Sequence, residues 1–395
     1  MTQAVTHSPP QPASIAAVPF DFWLVMAIAT LLILGLVMVA SASIAIAGRH
    51  GGDELHFLWR QCGAFGLGGL IGAVILRLPL ARLEQISSVL LLIGVGLLLL
   101  VLTPGIGREV NGSMRWVTLG PLTLQASEPL KLAVIIYVAG YLIRHQTQVQ
   151  TEFIGFIKPI GVVTIIAGLL LLEPDFGAAV VLLATTLGML FMGGVPIARF
   201  VAWGLVAVAA VGTIAVLAPY RMQRLMAFRD PWSDPFDTGF QLTQALIAFG
   251  RGEWFGVGLG NSVQKLFYLP EVHTDFIFAV IAEELGLVGS CAVILLFGFL
   301  FARILQVGRQ AALQQQTFGA NLAYGVGLLI GIEAFVNIGV NMGILPTKGL
   351  TLPLISYGSN SMVMICAALA LVLRVSHEAN APRRAVSALL IIPDD

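Results

Sequence analysis

Charge is what this sequence has least of. Only 11% of its 395 residues are Asp, Glu, Lys or Arg, against about 25% in a soluble domain. That scarcity excludes an ordinary water-soluble globule. Cysteine is nearly absent. Cys62, Cys291 and Cys366 lie in apolar runs, with no close C-x-x-C pair and no zinc-type spacing, which excludes a disulfide framework and leaves them as small packing residues. There is no excess of either charge sign, since Lys plus Arg and Asp plus Glu each number 21, so nothing points to nucleic acid. The first 20 residues carry no Lys or Arg and are rich in Pro, Ser, Thr and Ala. They lack the basic start of a cleavable signal peptide, and the apolar run that follows is long enough to remain as a span. Residues 1–21 are expected to form a disordered cytoplasmic tail.

What is abundant is apolar surface. Hydrophobic residues make up 57% of the chain, in recurring runs of about 20, the length needed to cross a hydrocarbon core. A transmembrane barrel would instead show short alternating strands. The sequence therefore predicts an all-α, polytopic membrane protein. Ten spans are drawn, at roughly 22–47, 57–76, 86–103, 128–143, 158–172, 176–195, 200–218, 275–302, 319–341 and 353–374. The fifth is short for the purpose. The membrane domain is taken as 22–375, with a cytoplasmic C-terminal tail at 376–395.

Lys and Arg in short loops favour an N-in, C-in orientation. Arg77, Arg82, Arg144, Lys158, Arg199, Arg303, Arg309 and Arg374 then face the cytoplasm. Two loops on the other side stand out, 104–127 and a large extracytoplasmic loop at 219–274. Trp232, Phe236, Phe240, Trp254, Phe255 and Phe267 in the second argue against plain disorder, and loops this long are usually functional or disordered. No internal repeat of the transporter kind is visible.

The chemistry concentrates at Gln264–Gly286, where Lys265, Glu271, His273, Asp275, Glu283 and Glu284 adjoin an apolar span. Ionisable groups at membrane depth are expensive and point to function. Asp275 has two readings. As a helix cap it would precede the apolar helix, with Thr274 as the alternative cap. As a base it would be partly desolvated at a water–lipid boundary, which raises basicity. Glu283 and Glu284 follow eight and nine residues later, about 12 Å of helix rise, too far for a carboxylate dyad, and read as structural acids. Glu128 and Lys131 are three apart and share a helix face, either as a structural ion pair or as a polar cavity wall. Asp175 in Glu173-Pro174-Asp175 reads as the cap of the sixth span.

Cations on the outer side run against the positive-inside trend. Arg115, Arg221, Arg224, Arg229, Arg251, Lys265 and Lys348 would meet either lipid headgroups or an anionic, phosphate-bearing substrate. The Gly-rich Gly250–Gly260 segment has no G-K-[ST] and no βαβ setting, so its glycines read as aids to tight turns and close packing. No H-E-x-x-H and no Ser-His-Asp order is present.

Four segments carry a family resemblance. Y-L-P-E-V-H-T-D-F-I-F-A-V-I-A-E-E-L-G (268–286), L-P-T-K-G-L-T-L-P-L-I-S-Y-G (345–358), N-G-S-M-R-W-V with Q-A-S-E-P-L-K (111–131), and E-P-D-F-G (173–177) resemble, in order, the signatures of the SEDS family, the FtsW/RodA-type proteins of bacterial cell-wall synthesis. The run from Phe249 to Lys265 is more similar to division-type than to elongation-type members. The resemblance implies a ten-span peptidoglycan glycosyltransferase in the cytoplasmic (inner) membrane at the division septum. It would polymerise lipid II at the outer face with a class B penicillin-binding protein, among other divisome membrane proteins and membrane lipids. Asp275 matches the family's essential aspartate, and Glu128 and Lys131 match a pair in its central cavity. His273, Thr274, Lys348 and Ser356 fall within signatures. Glu173 stands where Gln is usual, Ala126 where Pro is common, and Ser359-Asn360-Ser361 replaces a Gly-Gly-Ser-type run.

The implied reaction is one inverting displacement. Asp275 takes the proton of the acceptor's 4-hydroxyl, and undecaprenyl pyrophosphate leaves with no covalent intermediate of the retaining type. The leaving charge needs cations from Arg115, Lys131, Arg221, Arg224 and Lys265, or a divalent cation such as Mg or Mn; no organic cofactor is expected. Two other classes fit the same polar residues: a lipid II flippase and a non-catalytic scaffold.

Overall fold

The computed structural model describes residues 20–49, 55–110, 113–119, 122–217, 222, 228–237, 239–266, 269, 272–346 and 349–380. Ten helices correspond to the ten expected spans: α1 (Phe22–Arg49), α2 (His56–Ile75), α4 (Ser87–Val101), α5 (Ser127–Arg144), α7 (Phe153–Leu172), α8 (Phe176–Met192), α9 (Ile197–Leu217), α11 (Ile277–Leu313), α12 (Thr317–Asn341) and α13 (Ser359–Asn380). Short helices α3 (Leu80–Gln85) and α6 (Gln146–Thr151) lie between spans, and α10 (Phe240–Gly252) lies within the large loop. Among the described residues six helices are long and apolar enough to cross a membrane by themselves: α1, α2, α7, α11, α12 and α13.

Helix α5 sits in the middle. A helix apolar on all sides is buried on all sides, and Leu130, Val134, Ile135, Val138 and Ala139 are all at most 1% exposed. It packs on α4, α8 and α12, while α11 lies along α12 and α2 lies along α13. Gly68 and Gly72 bring α2 close to Cys366 and Ala370 of α13, the small-residue contact that lets membrane helices approach. At one end of the bundle, Asp21 caps α1 through the Leu24 amide at 3.0 Å and pairs with Arg303 of α11 at 2.7 Å. Near the same end of α13, Arg374 pairs with Glu378 at 2.7 Å.

Four boundaries differ from expectation, two of them for a visible local reason. The fifth span starts at Phe153, because the helix runs through Pro159. The eighth runs on to Leu313. The tenth starts at Ser359, because Leu352–Ser356 closes a turn in which the Ile355 and Ser356 amides donate to the Leu352 carbonyl. It continues to Asn380, so 376–380 are helical rather than tail. Residues 1–19 and 381–395 lie outside the described residues. The 104–127 loop also holds an element the apolar pattern did not announce. It is an antiparallel sheet of β1 (Gly107–Val110), β2 (Ser113–Leu119) and β3 (Leu122–Gln125), with Trp116 opposite both Arg108 and Gln125. Trp, Val, Thr and Leu in β2 favour a pleated surface.

Helix α11 is broken at Gly286, whose φ of 68° and ψ of −165° are not helical. The backbone groups released there have to be paired elsewhere. Residues 253–258 supply the partners by running alongside. Val257 N–H donates to Glu283 O (2.9 Å) and Gly258 N–H to Glu284 O (3.1 Å). Leu287 N–H donates to Glu253 O (2.9 Å) and Val288 N–H to Trp254 O (3.1 Å). The approach requires glycine on both sides: a Cβ on Gly256 would collide with the Glu284 carbonyl, and one on Gly286 with the Gly256 amide. The glycine-rich segment thus serves close backbone packing. Gly286→Ala adds both this collision and a conformation open essentially to Gly alone, at about 1–3 kcal/mol for the backbone term. We expect a clearly lowered melting temperature in detergent. Gly250→Ala, where a Cβ meets open space, is expected to melt within a degree or two of wild type.

Candidate active site

The segment before α11 is pinned by its neighbours on every side. Helix α11 begins at Ile277, so the cap position falls on Phe276, which makes no side-chain cap bond. The Ala279 amide in its first turn is shared between Phe276 O and Asn341 Oδ1 of α12, both at 3.1 Å. The Asp275 carbonyl accepts from Asn337 Nδ2 and Asn341 Nδ2, both at 2.9 Å. Ser356 Oγ donates to Thr274 O at 2.6 Å, and Tyr357 N–H donates to His273 O at 2.9 Å. Gln61 of α2 donates to Ser356 O at 3.0 Å. The His273 ring lies 4.8 Å from Phe57 and 5.4 Å from Tyr357, centroid to centroid. Asp275 is half-buried, and a Cβ on Gly349 would come within 3.0 Å of its Oδ2. Glycine at 349 therefore brings no side chain of its own against the carboxylate.

The second charged group lies along α12 from Asp275. Lys131 Nζ is 3.0 Å from Glu128 and 2.5 Å from Glu333, and all three are at most 9% exposed. Glu333, Asn337 and Asn341 are four residues apart and share one helix face, about 12 Å from first to last. One polar stripe of α12 thus links the charged triad to the Asp275 turn. Glu333, Asn337, Asn341 and Gln61 were not picked out from the sequence. The available signal was the recurrence of polar residues every fourth position inside an otherwise apolar span.

Glu283 and Glu284, both fully buried, secure the incoming loop. Glu283 accepts from Ser262 Oγ, from the Val263 (3.1 Å) and Gln264 (3.2 Å) amides and from Arg251 (3.2 Å). Glu284 accepts from Lys265 Nζ at 2.8 Å and Ser41 Oγ at 2.8 Å. Lys265 also donates to Ser41 at 3.0 Å and is only 6% exposed. Its ammonium is thereby occupied within the protein, which gives it a bracing position rather than an open one.

Arg115 reaches the turn between α7 and α8, where Nε donates to Glu173 O at 3.1 Å and Nη2 to Pro174 O at 2.5 Å. Asp175 caps α8 as expected, accepting from the Ala178 amide at 3.2 Å, and also accepts from Ser127 Oγ at 3.2 Å. Glu173 is 1% exposed, and among the described residues neither carboxyl oxygen has a hydrogen-bond partner. Burial pushes its pKa up to about 8; the neighbouring Asp175 charge adds to this and Arg115 opposes it. Of the other expected cations, Arg221, Arg224 and Lys348 lie outside the described residues. Among the described residues no three His, Cys, Asp or Glu side chains form a group suited to a metal ion.

A family model described as cell cycle protein, for the FtsW, RodA and SpoVE group, matches residues 22–381. The chain belongs to this family. It is 56% identical over 382 residues to the probable peptidoglycan glycosyltransferase FtsW of Nitrosococcus halophilus, covering 96% of each chain. The corresponding protein of Thioalkalivibrio sulfidiphilus is 55% identical over 358 residues, 91% of this chain and 90% of that one. Among solved structures, a chain from a peptidoglycan synthase complex, described as coordinating polymerization and crosslinking, superposes with a TM-score of 0.75 at 32% identity. It covers 91% of this chain and 98% of that one. The rod shape determining protein RodA of Thermus thermophilus gives 0.68 at 30% identity, covering 94% and 100%.

Two outcomes follow from the buried charges. Lys131→Met strips two buried carboxylates of their cation, and breaking such a group costs about 3–5 kcal/mol; we expect a large fall in melting temperature. For Glu173 the sign is set by a folded-state pKa above the unfolded value of 4.5. Its contribution to stability is fully present below 4.5 and is lost as pH rises through about 8. Melting temperature measured from pH 5 to 9 is expected to fall more steeply for wild type than for Glu173→Gln, which cannot ionise.

Proposed function

We propose that this chain is a peptidoglycan glycosyltransferase of the FtsW type, polymerising lipid II into β-1,4 glycan at the outer face of the cytoplasmic membrane during septal wall synthesis. Asp275 is the general base. The observation that supports this reading is position: the Asp275 backbone is held by Asn337 and Asn341 of α12, and its half-buried carboxylate lies beside Gly349. Of the two sequence readings of Asp275, cap and base, we take base. The carboxylate, flanked by glycine at 349, takes the proton of the acceptor's 4-hydroxyl. The oxygen attacks the anomeric carbon of the donor as the bond to pyrophosphate breaks, inverting the configuration there. Proton transfer of this kind contributes about 10²–10⁴-fold.

An N-in, C-in orientation puts Asp275, the 104–127 sheet and the Glu173 turn on the same outer side. Lipid tails would lie in grooves between spans, of which the apolar one lined by Ile33, Leu34, Val37, Leu259 and Leu285 is an example. The partner is a class B penicillin-binding protein that cross-links the product, a pairing in keeping with the similarity to a chain from a peptidoglycan synthase complex. The flippase and scaffold readings gain no observation of their own from this geometry. Purified Asp275→Asn protein with its partner synthase is expected to lose at least about 100-fold in lipid II polymerisation while its melting curve stays that of wild type. Glycan chains of wild-type length and rate from that variant would sink the assignment.

A further inference from the structure

We infer that Asn337 and Asn341 are positioning residues for Asp275, a two-amide clamp on α12 that sets where the base stands. The inference rests on the reading of Asp275 as the base. Three observations combine. Both side-chain amides donate to one acceptor, the Asp275 carbonyl, at 2.9 Å each. Asn337 Nδ2 also donates to Leu350 O at 2.5 Å, so a single amide ties the Asp275 turn to the segment whose Gly349 flanks the Asp275 carboxylate. Asn341 Oδ1 takes the Ala279 amide at 3.1 Å and its Nδ2 donates back to Asn337 O at 2.9 Å, which locks its own rotamer. Both asparagines are at most 2% exposed.

The physical case is one of registration. Residues 272–276 form a turn between a loop and a broken helix, and such a segment has no ladder to fix it. A carbonyl held by two donors from one rigid helix is fixed in direction as well as place. The Cα from which the Asp275 side chain extends is then set relative to α12. A displacement of about 1 Å at a reacting group costs about 100-fold in rate. A stability device would only need the carbonyl satisfied once, and by any donor. Here two donors come from one helix face, and each is committed to a second contact beside the site.

The test uses the full-length protein with its partner synthase, assayed on lipid II. Asn337→Leu keeps the γ-branched shape and removes the donor; Asn337→Gln keeps an amide on a longer arm. We expect kcat to fall about 10- to 100-fold for Asn337→Leu with KM within about threefold, and Asn337→Gln to recover at least a fivefold share of the loss. Asn341→Ser, which is smaller, gives a second variant should Asn337→Leu not fold, with the same kcat-selective loss expected. Each substitution is also made with Asp275→Glu, where the carboxylate is already displaced by one methylene. There the same change should lower the rate by less than about threefold, since coupled residues are not additive. Equal factors in both backgrounds, a loss confined to KM, or a lowered melting temperature at unchanged kcat would each overturn the clamp. Full activity in Asp275→Asn would overturn the base assignment itself, whereas an inactive Asp275→Asn beside fully active Asn337 and Asn341 variants overturns the clamp alone.

Discussion

Backbone that leaves helical geometry among apolar helices has to find its hydrogen-bond partners inside the protein, because the hydrocarbon around it offers none. The active region depends on how that constraint is met. Two departures from helix lie within twelve residues of each other, the turn before Ile277 and the break at Gly286. The first is satisfied by side chains of α12 and by Ser356 and Tyr357, the second by the backbone of residues 253–258. Between them stands the first stretch of α11, with Ile277–Ile281 fully buried. The large loop is thus not an appendage; its backbone completes α11, and α11 in turn places Asp275.

The same economy governs the acids. Glu283 and Glu284 each take three or four donors, most of them from the loop that precedes Asp275. A carboxylate buried in this way is stable only while its donors stay in place. The acids therefore bind the loop into one arrangement, and the conformational choice they enforce matters more than the net energy of the pairs. Gly252, Gly256 and Gly286 permit the approach that the hydrogen bonds then hold. A Cβ on Gly252 would meet the Ala282 carbonyl, immediately before the two acids.

The spans were legible because twenty apolar residues in a row have one physical meaning, and the ten helices fall where those runs lie. Asp175 as a cap and Glu128 with Lys131 as neighbours were legible too, since both follow from spacing along one helix. What could not be read was which residues meet across helices. Glu333 completes the Lys131 group from a helix some 200 positions away, and Asn337 and Asn341 reach Asp275 from 62 and 66 residues on. Spacing four apart revealed a polar face on α12 but not what it faces. The small sheet escaped for another reason: its strands are short, and the strand pattern in β2 was weighed as loop beside so many long apolar runs. Asp275 stood balanced between cap and base because the groups that hold its backbone, Asn337 and Asn341, belong to a different helix.

The distribution of cations narrows what each part of the site can bind. A pyrophosphate carries several negative charges and calls for net positive potential. Lys131 cannot supply it alone, since it stands between Glu128 and Glu333 and its charge is met within that group. Lys265 is matched by Glu284, with Glu283 adjoining. Arg115 spends its guanidinium on two carbonyls and among the described residues forms no ion pair, so among these three it retains the most positive potential. On the reading proposed for Asp275, the charged triad suits hydroxyl and amide groups of a glycan better than a pyrophosphate, since a carboxylate or an ammonium can bind either, and Arg115 suits a leaving pyrophosphate better than Lys131 or Lys265 does.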